Sequence, residues 1–144
     1  MAFDIVLTLD PEPADETVVR EGLRVYNKAM GGPTGYQPIS IMLADESGTR
    51  IGGLTGRALY DWLFIELFHI PEALRGQGYG RQLMQKAEAF ARERGLVGIW
   101  LDTFDFQARP FYEKLGFTVF GTLGDHPRDG RRYFMQKRLD GASR

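Results

Sequence analysis

Alternating apolar and polar positions open the chain. Phe3 to Leu9 alternates and predicts a first strand, which Pro11 and Pro13 end. Ala14 to Met30 predicts a helix, with Val18, Val19, Leu23, Val25 and Tyr26 on or near one face, stopped by Gly31-Gly32-Pro33. Ile39 to Ala44 is a short apolar strand. Asp45-Glu46-Ser47-Gly48 is hairpin turn chemistry, and Arg50 to Tyr60 returns as a strand. Its glycines, Gly52, Gly53 and Gly56, point to bulges or close backbone approach. Trp62 to Ile70 is apolar enough for a central strand. Gly80 to Arg94 is an amphipathic helix with Leu83, Met84, Ala87 and Phe90 inward, and Gly95 caps it. Val97 to Thr103 is a strand, Gln107 to Leu115 a shorter helix, and Phe117 to Leu123 and Arg132 to Leu139 a last strand pair. The order β-α-β-β-β-α-β-α-β-β predicts an α/β (α+β) fold: one domain over residues 1–144, a mixed sheet with helices.

Composition narrows the classes. With 144 residues and 43% hydrophobic residues the chain can bury one real core, so wholesale disorder is excluded. A net charge of -1 gives no overall pull toward nucleic acid, and none is expected as a partner. There is no cysteine, hence no disulfide, thiolate metal site or cysteine nucleophile. That suits a cytoplasmic protein. The start MAFDIVLTLDPEP lacks the basic and apolar runs of a signal peptide, and no stretch approaches the ~20 apolar residues of a membrane helix. With only two histidines far apart, no metal is expected.

The most informative stretch is IELFHIPEALRGQGYGRQLMQKAEAF, a strand running through Gly76, Gly78 and Gly80 into a helix. A helix start leaves N–H groups unpaired and carries partial positive charge, so phosphate oxygens fit there. Arg75 and Arg81 flank the glycines and can add charge-assisted bonds. A Walker A loop is excluded, because no Gly-Lys-Ser/Thr occurs. A dinucleotide fingerprint fails too: its third glycine position is Arg81 or Leu83. The bland alternative is a glycine-shaped turn before a helix.

Arg75-Gly76-Gln77-Gly78-Tyr79-Gly80 matches Arg/Gln-x-x-Gly-x-Gly/Ala, the hallmark of the GNAT superfamily of acyl-CoA-dependent N-acetyltransferases. Downstream, Ala108-Arg109-Pro110-Phe111-Tyr112-Glu113-Lys114-Leu115-Gly116-Phe117 resembles that family's second motif at the usual separation. The resemblance implies a GNAT-like, mostly antiparallel sheet flanked by helices, with acetyl-CoA as co-substrate. It implies that amides around Gln77, Gly78, Tyr79, Gly80 and Arg81 hold the pyrophosphate. The main chain of Phe68 and Ile70 would pair with the pantetheine arm, and Tyr112 would protonate the leaving thiolate. Family members often carry Asn three residues before the motif alanine. Here Asp105 stands there, and it would repel phosphates or bind a cationic acceptor.

Acetyl transfer to an amine needs a neutral amine, a held oxyanion and a protonated leaving group. Backbone N–H near Ile70 can serve the oxyanion. Tyr112 suits the acid role and could equally be a core aromatic. Glu66 is the leading base candidate, because burial in its apolar run would raise its pKa; an exposed or salt-bridged acid is the alternative. His69 is the second candidate, on the opposite face by simple alternation. Asp102 is a third acid, and His126 is expected in solvent. Tyr36, Trp62, Phe104 and Phe106 could meet the acceptor or pack the core, with Tyr36 favoured for contact. Asp45, Glu46, Asp61, Glu66, Asp102 and Asp105 near the cleft would suit a cationic acceptor. A homodimer through the final strands is possible in principle, and a non-catalytic acyl-CoA-binding sensor is the alternative to an enzyme.

Overall fold

The computed structural model describes residues 2–141 and divides the chain into two compact units, Met1–Thr34 and Gly35–Arg144. The first holds helix α1, Pro13–Gly31. Pro13 sits in its opening turn, and the Asp15 carboxylate accepts the Glu12 N–H at 3.0 Å. Gly32, at φ 76°, ends it. Residues 2–12 carry no regular element, so Phe3 to Leu9 is not a strand. Alternation becomes a strand only on a ladder partner, and this unit offers only a helix.

The second unit is a six-stranded sheet in the order β1-β2-β3-β4-β6-β5, with two helices. The strands are β1 Gln37–Ala44, β2 Arg50–Leu59, β3 Trp62–His69, β4 Gly98–Phe104, β5 Thr118–Gly124 and β6 Arg131–Arg138. Helix α2 is Tyr79–Glu93 and α3 is Arg109–Lys114. Only β3 and β4 pair in parallel. The result is the expected mixed, mostly antiparallel architecture without the first strand. Leu83, Met84, Ala87 and Ala91 of α2 bury against Leu54, Leu63, Ile65, Ile99, Leu101 and Met135 of the sheet. Burying that face stabilises the fold at roughly 25 cal/mol per Å² of apolar surface. Among the described residues no helix is long and apolar enough to cross a membrane.

A bulge decides how β3 works. Thr55 pairs with Leu67 and Gly56 with Ile65, so Glu66 is an extra residue. Gly56 is required there: a Cβ would lie 2.3 Å from the Phe64 carbonyl oxygen. Before the bulge Leu63 and Ile65 face the core; after it Phe68 and Ile70 do. The inward parity therefore changes from odd to even. His69 is thrown onto the side of Thr55 and Arg57, the side on which Glu66 meets Arg57. The opposite-face expectation from unbroken alternation is corrected.

Candidate active site

The β3–β4 ladder runs from Trp62–Gly98 to Ile65–Leu101 and stops. Past that rung the strands part into a cleft of about 1110 Å³. One wall is Glu66 to Ile70. The other is Asp102, Thr103 and Phe104, with Phe106 to Ala108, Phe111 and Tyr112 beyond. No strand covers the β4-facing edge of Phe68 and Ile70, which leaves that edge open to an extended ligand. The Ile70 carbonyl accepts the Arg75 Nε–H at 2.9 Å.

At one end of the cleft lies the glycine segment. A 3-10 turn, Glu72–Leu74, leads into it, and Gln77 Nε2 donates to the Ala73 carbonyl at 3.1 Å. Arg75 and Gln77 thus brace the loop with their side chains. Gly76 and Gly78 have φ of 76° and 88°, left-handed values that cost an L-residue about 1–2 kcal/mol. Gly80 serves differently: a Cβ on it would sit 3.1 Å from Phe111 and 3.4 Å from Phe68, so the helix start can seat against both rings. No side chain caps Gly78, and the first intrahelical bond is Gln82 N–H to the Gly78 carbonyl. The N–H groups of Tyr79, Gly80 and Arg81 precede it, at the positive end of α2. This is the donor set a pyrophosphate needs.

Tyr112 also lines the cleft and is 5% exposed. Its ring meets Phe68, Phe111 and Phe117 edge-on at 6.1, 5.2 and 5.9 Å. Burial first, and the charge of Asp102 second, push its hydroxyl up to about 12 from 10.0. It therefore stays protonated at neutral pH. Its position is set by a tightly bonded turn. Thr103 Oγ1 accepts the Ala108 N–H at 3.2 Å, and Gln107 Oε1 accepts the Phe104 N–H at 2.7 Å. The Gln107 N–H donates back to the Phe104 carbonyl at 2.9 Å. LDTFDFQAR is thus a brace between β4 and α3.

Glu66 is not buried. Its side chain is 50% exposed and accepts Arg57 Nη1–H at 2.9 Å, and that guanidinium lies over Phe64 at 5.0 Å. Phe64 in turn stacks on Trp100 at 4.1 Å. Asp102 accepts the Arg132 Nε–H at 2.8 Å and pairs with Arg132 Nη2 at 2.7 Å. Glu66, His69 and Asp102 all line the cleft, as do Phe104 and Phe106. Tyr36, Trp62, Asp45, Glu46, Asp61 and Asp105 do not. Asp45 closes its hairpin by accepting the Ser47 and Thr49 N–H groups, at 2.9 and 3.0 Å. Its Ser47 hydrogen bond holds it below the usual carboxylate range. Asp105 accepts the Arg131 N–H at 2.9 Å, anchoring the β5–β6 loop instead of reaching phosphate or acceptor. His126 is half-buried against Phe104, ring centroids 5.1 Å apart, not in open solvent. Arg57, Arg132 and Thr103 were missed from sequence, since their partners lie across strand registers or a turn. No group of three or more potential metal ligands occurs among the described residues.

In sequence and fold the chain resembles known acetyltransferases. The model of the acetyltransferase (GNAT) family matches residues 6–117. An acetyltransferase of Agrobacterium fabrum is 38% identical over 85% of this chain and 89% of its own length. A blasticidin-S acetyltransferase of Streptomyces morookaense is 36% identical over 65% of this chain and 70% of its own. The crystal structure of a candidate acetyltransferase from Agrobacterium tumefaciens superposes with a TM-score of 0.89, at 32% identity, covering 95% of this chain and all of that one.

Proposed function

Because the chain belongs to the acetyltransferase (GNAT) family, enzymes that take the acetyl group from acetyl-CoA, we propose that it transfers that group directly to a primary amine of a small molecule or protein. One observation carries the reading. The uncapped start of α2, the open edge of β3 and the buried Tyr112 all line a single cleft, which supports their use for pyrophosphate, pantetheine arm and thioester. Arg75, Gly76, Gln77, Gly78, Tyr79, Gly80 and Arg81 form the cradle, and Phe68 and Ile70 the strand that the arm would join.

In the reaction the amine nitrogen attacks the thioester carbon and the C–N bond forms. The oxyanion is held by backbone N–H near Ile70. The C–S bond then breaks with its electron pair going to sulfur, and Tyr112 gives sulfur its proton. Glu66, half-exposed at the cleft wall, takes the proton of the incoming ammonium and passes it to water. Two carboxylates at the apex, Glu66 and Asp102, favour an acceptor that arrives as a cation. Blasticidin S is the first acceptor to try, because a relative carries its name. The whole span 1–144 works as one domain in this reading, supported by a relative aligned over 95% of the chain.

The test is calorimetric titration with acetyl-CoA, with NADH as control, followed by thiol release with blasticidin S and a panel of primary amines. Binding with thiol release is expected. Binding without release for any amine would leave a sensor module, and no binding would overturn the reading.

A further inference from the structure

The proposed transfer removes two protons from the acceptor nitrogen, and Glu66 accounts for one. An ammonium and acetyl-CoA become an amide, a thiol and one released proton. The first proton leaves before attack, through Glu66. The second leaves the nitrogen of the tetrahedral adduct, while Tyr112, having protonated sulfur, is left as a phenolate. We propose that Asp102 carries this second proton from the adduct nitrogen to the Tyr112 oxygen, with Arg132 as its positioning residue. The step balances: nitrogen loses the proton that sulfur has gained through Tyr112, and Asp102 ends unprotonated. The inference rests on the N-acetyltransferase reading above.

Three observations converge on Asp102. It is the first residue of β4 past the Ile65–Leu101 rung, so it stands where the two strands part, and it lines the cleft with Glu66. Its side chain is 16% exposed against 50% for Glu66, which suits a carrier working inside the cleft rather than one exchanging with water. Second, its two contacts with Arg132 both fall on Oδ1, leaving Oδ2 with no protein partner among the described residues. Arg132 is itself fixed by Phe104 and Phe134, whose ring centroids lie 5.5 and 5.2 Å from its guanidinium carbon. One oxygen is thus clamped while the other keeps its lone pairs for a proton. Third, the next residue, Thr103, accepts the Ala108 N–H at the start of the helix that carries Tyr112, and Asp102 and Tyr112 line the same cleft. The carboxylate lies near enough for its charge to act on the Tyr112 hydroxyl.

The experiment compares wild type, Asp102→Asn, Asp102→Ala and Arg132→Gln in steady-state thiol release with acetyl-CoA and blasticidin S. Asp102→Asn is expected to lower kcat about 10²-fold. Acetyl-CoA affinity, read by calorimetry, stays within about twofold. Added formate should restore part of the Asp102→Ala loss, which a purely structural role would not allow. Arg132→Gln should lower kcat less, again without loss of acetyl-CoA affinity. Wild-type kcat in Asp102→Asn, or a loss matched by lost acetyl-CoA affinity, would overturn the inference. If wild type releases no thiol with any amine, the transferase reading itself fails. Asp102 is then judged by NMR of 13Cζ-labelled tyrosine: the Tyr112 titration should move to lower pH in Asp102→Asn, and an unmoved titration would overturn the pairing.

Discussion

Glu66 and Asp102 both line the cleft that opens where β3 and β4 part, and each is tied to an arginine on a neighbouring strand. Arg57 of β2 holds Glu66 at 2.9 Å and Arg132 of β6 holds Asp102 at 2.7 Å. The β2–β3 bulge adds Glu66 to β3 just past the last rung of the parallel ladder. Both carboxylates are oriented without being spent on each other.

Replacing Glu66 should separate catalysis from stability. Its ion pair is half-exposed, and such pairs contribute about 0–1 kcal/mol, so Glu66→Gln should leave the melting temperature almost unchanged. As a general base it should matter far more, lowering kcat by at least ~10²-fold and flattening the acidic limb of the pH–rate profile. An unaltered acidic limb would pass the role to His69, which shares its face, or to water.

Tyr112→Phe should keep acetyl-CoA affinity and cut turnover by about 10²-fold. The pH dependence has a definite sign. Burial and the Asp102 charge raise the hydroxyl from 10.0 to about 12, so the fold favours the protonated phenol. That contribution is fully present below pH 10 and is lost as pH rises through about 12. The rate profile should therefore show no alkaline limb from Tyr112 below pH 10, and a Tyr112-dependent limb near neutrality would remove it as the acid.

The strands of the sheet and α2 were legible because their apolar periods are strong, and the cradle was legible because Gly76, Gly78 and Gly80 flank a helix start. Phe3 to Leu9 misled, since alternation says nothing about whether a partner strand exists. Leu63 to Ile70 misled more subtly. Hydrophobic at nearly every position, it hides a bulge opposite Gly56, whose lack of a Cβ lets the Phe64 carbonyl of the next strand come close. The run left open whether Glu66 is a buried acid or a salt-bridged one, because Arg57 reaches it only through the β2–β3 register.

The cradle can be broken in two ways that the geometry distinguishes. At Gly78 a Cβ has open space, its nearest neighbour being Gln82 Nε2 at 4.0 Å, so the cost of Gly78→Leu is the left-handed φ of 88°. About 1–2 kcal/mol should be lost from stability. The bulky side chain would also stand where phosphate must approach, so calorimetry should show acetyl-CoA affinity falling at least ~10-fold, beyond what the stability loss explains. At Gly80 the clash is with Phe111 and Phe68, so Gly80→Ala should perturb thermal stability before binding. Normal acetyl-CoA affinity in Gly78→Leu would refute the pyrophosphate assignment.

Thr103 tests whether the turn after β4 is a brace or merely a connection. It is 2% exposed, and it is the buried polar side chain among the described residues. Its hydroxyl accepts the Ala108 N–H at the start of the helix that carries Tyr112. Thr103→Val keeps the shape and removes the acceptor, leaving that N–H without its partner at a cost of about 1–3 kcal/mol. For a domain of this size a loss of 1 kcal/mol lowers the melting temperature by roughly 3–5 °C. Stability alone would make Thr103 an ordinary core residue. The brace predicts something further. The glycine loop is braced by Arg75 and Gln77 rather than by Thr103, so acetyl-CoA affinity should survive in Thr103→Val. Turnover should fall, because Tyr112 is no longer held at the thioester end. Calorimetry and steady-state kinetics on the same variant, at a temperature well below its melting point, read the two quantities separately. A variant with full turnover would show that the α3 packing of Phe111, Tyr112 and Phe117 fixes the phenol without help from the turn.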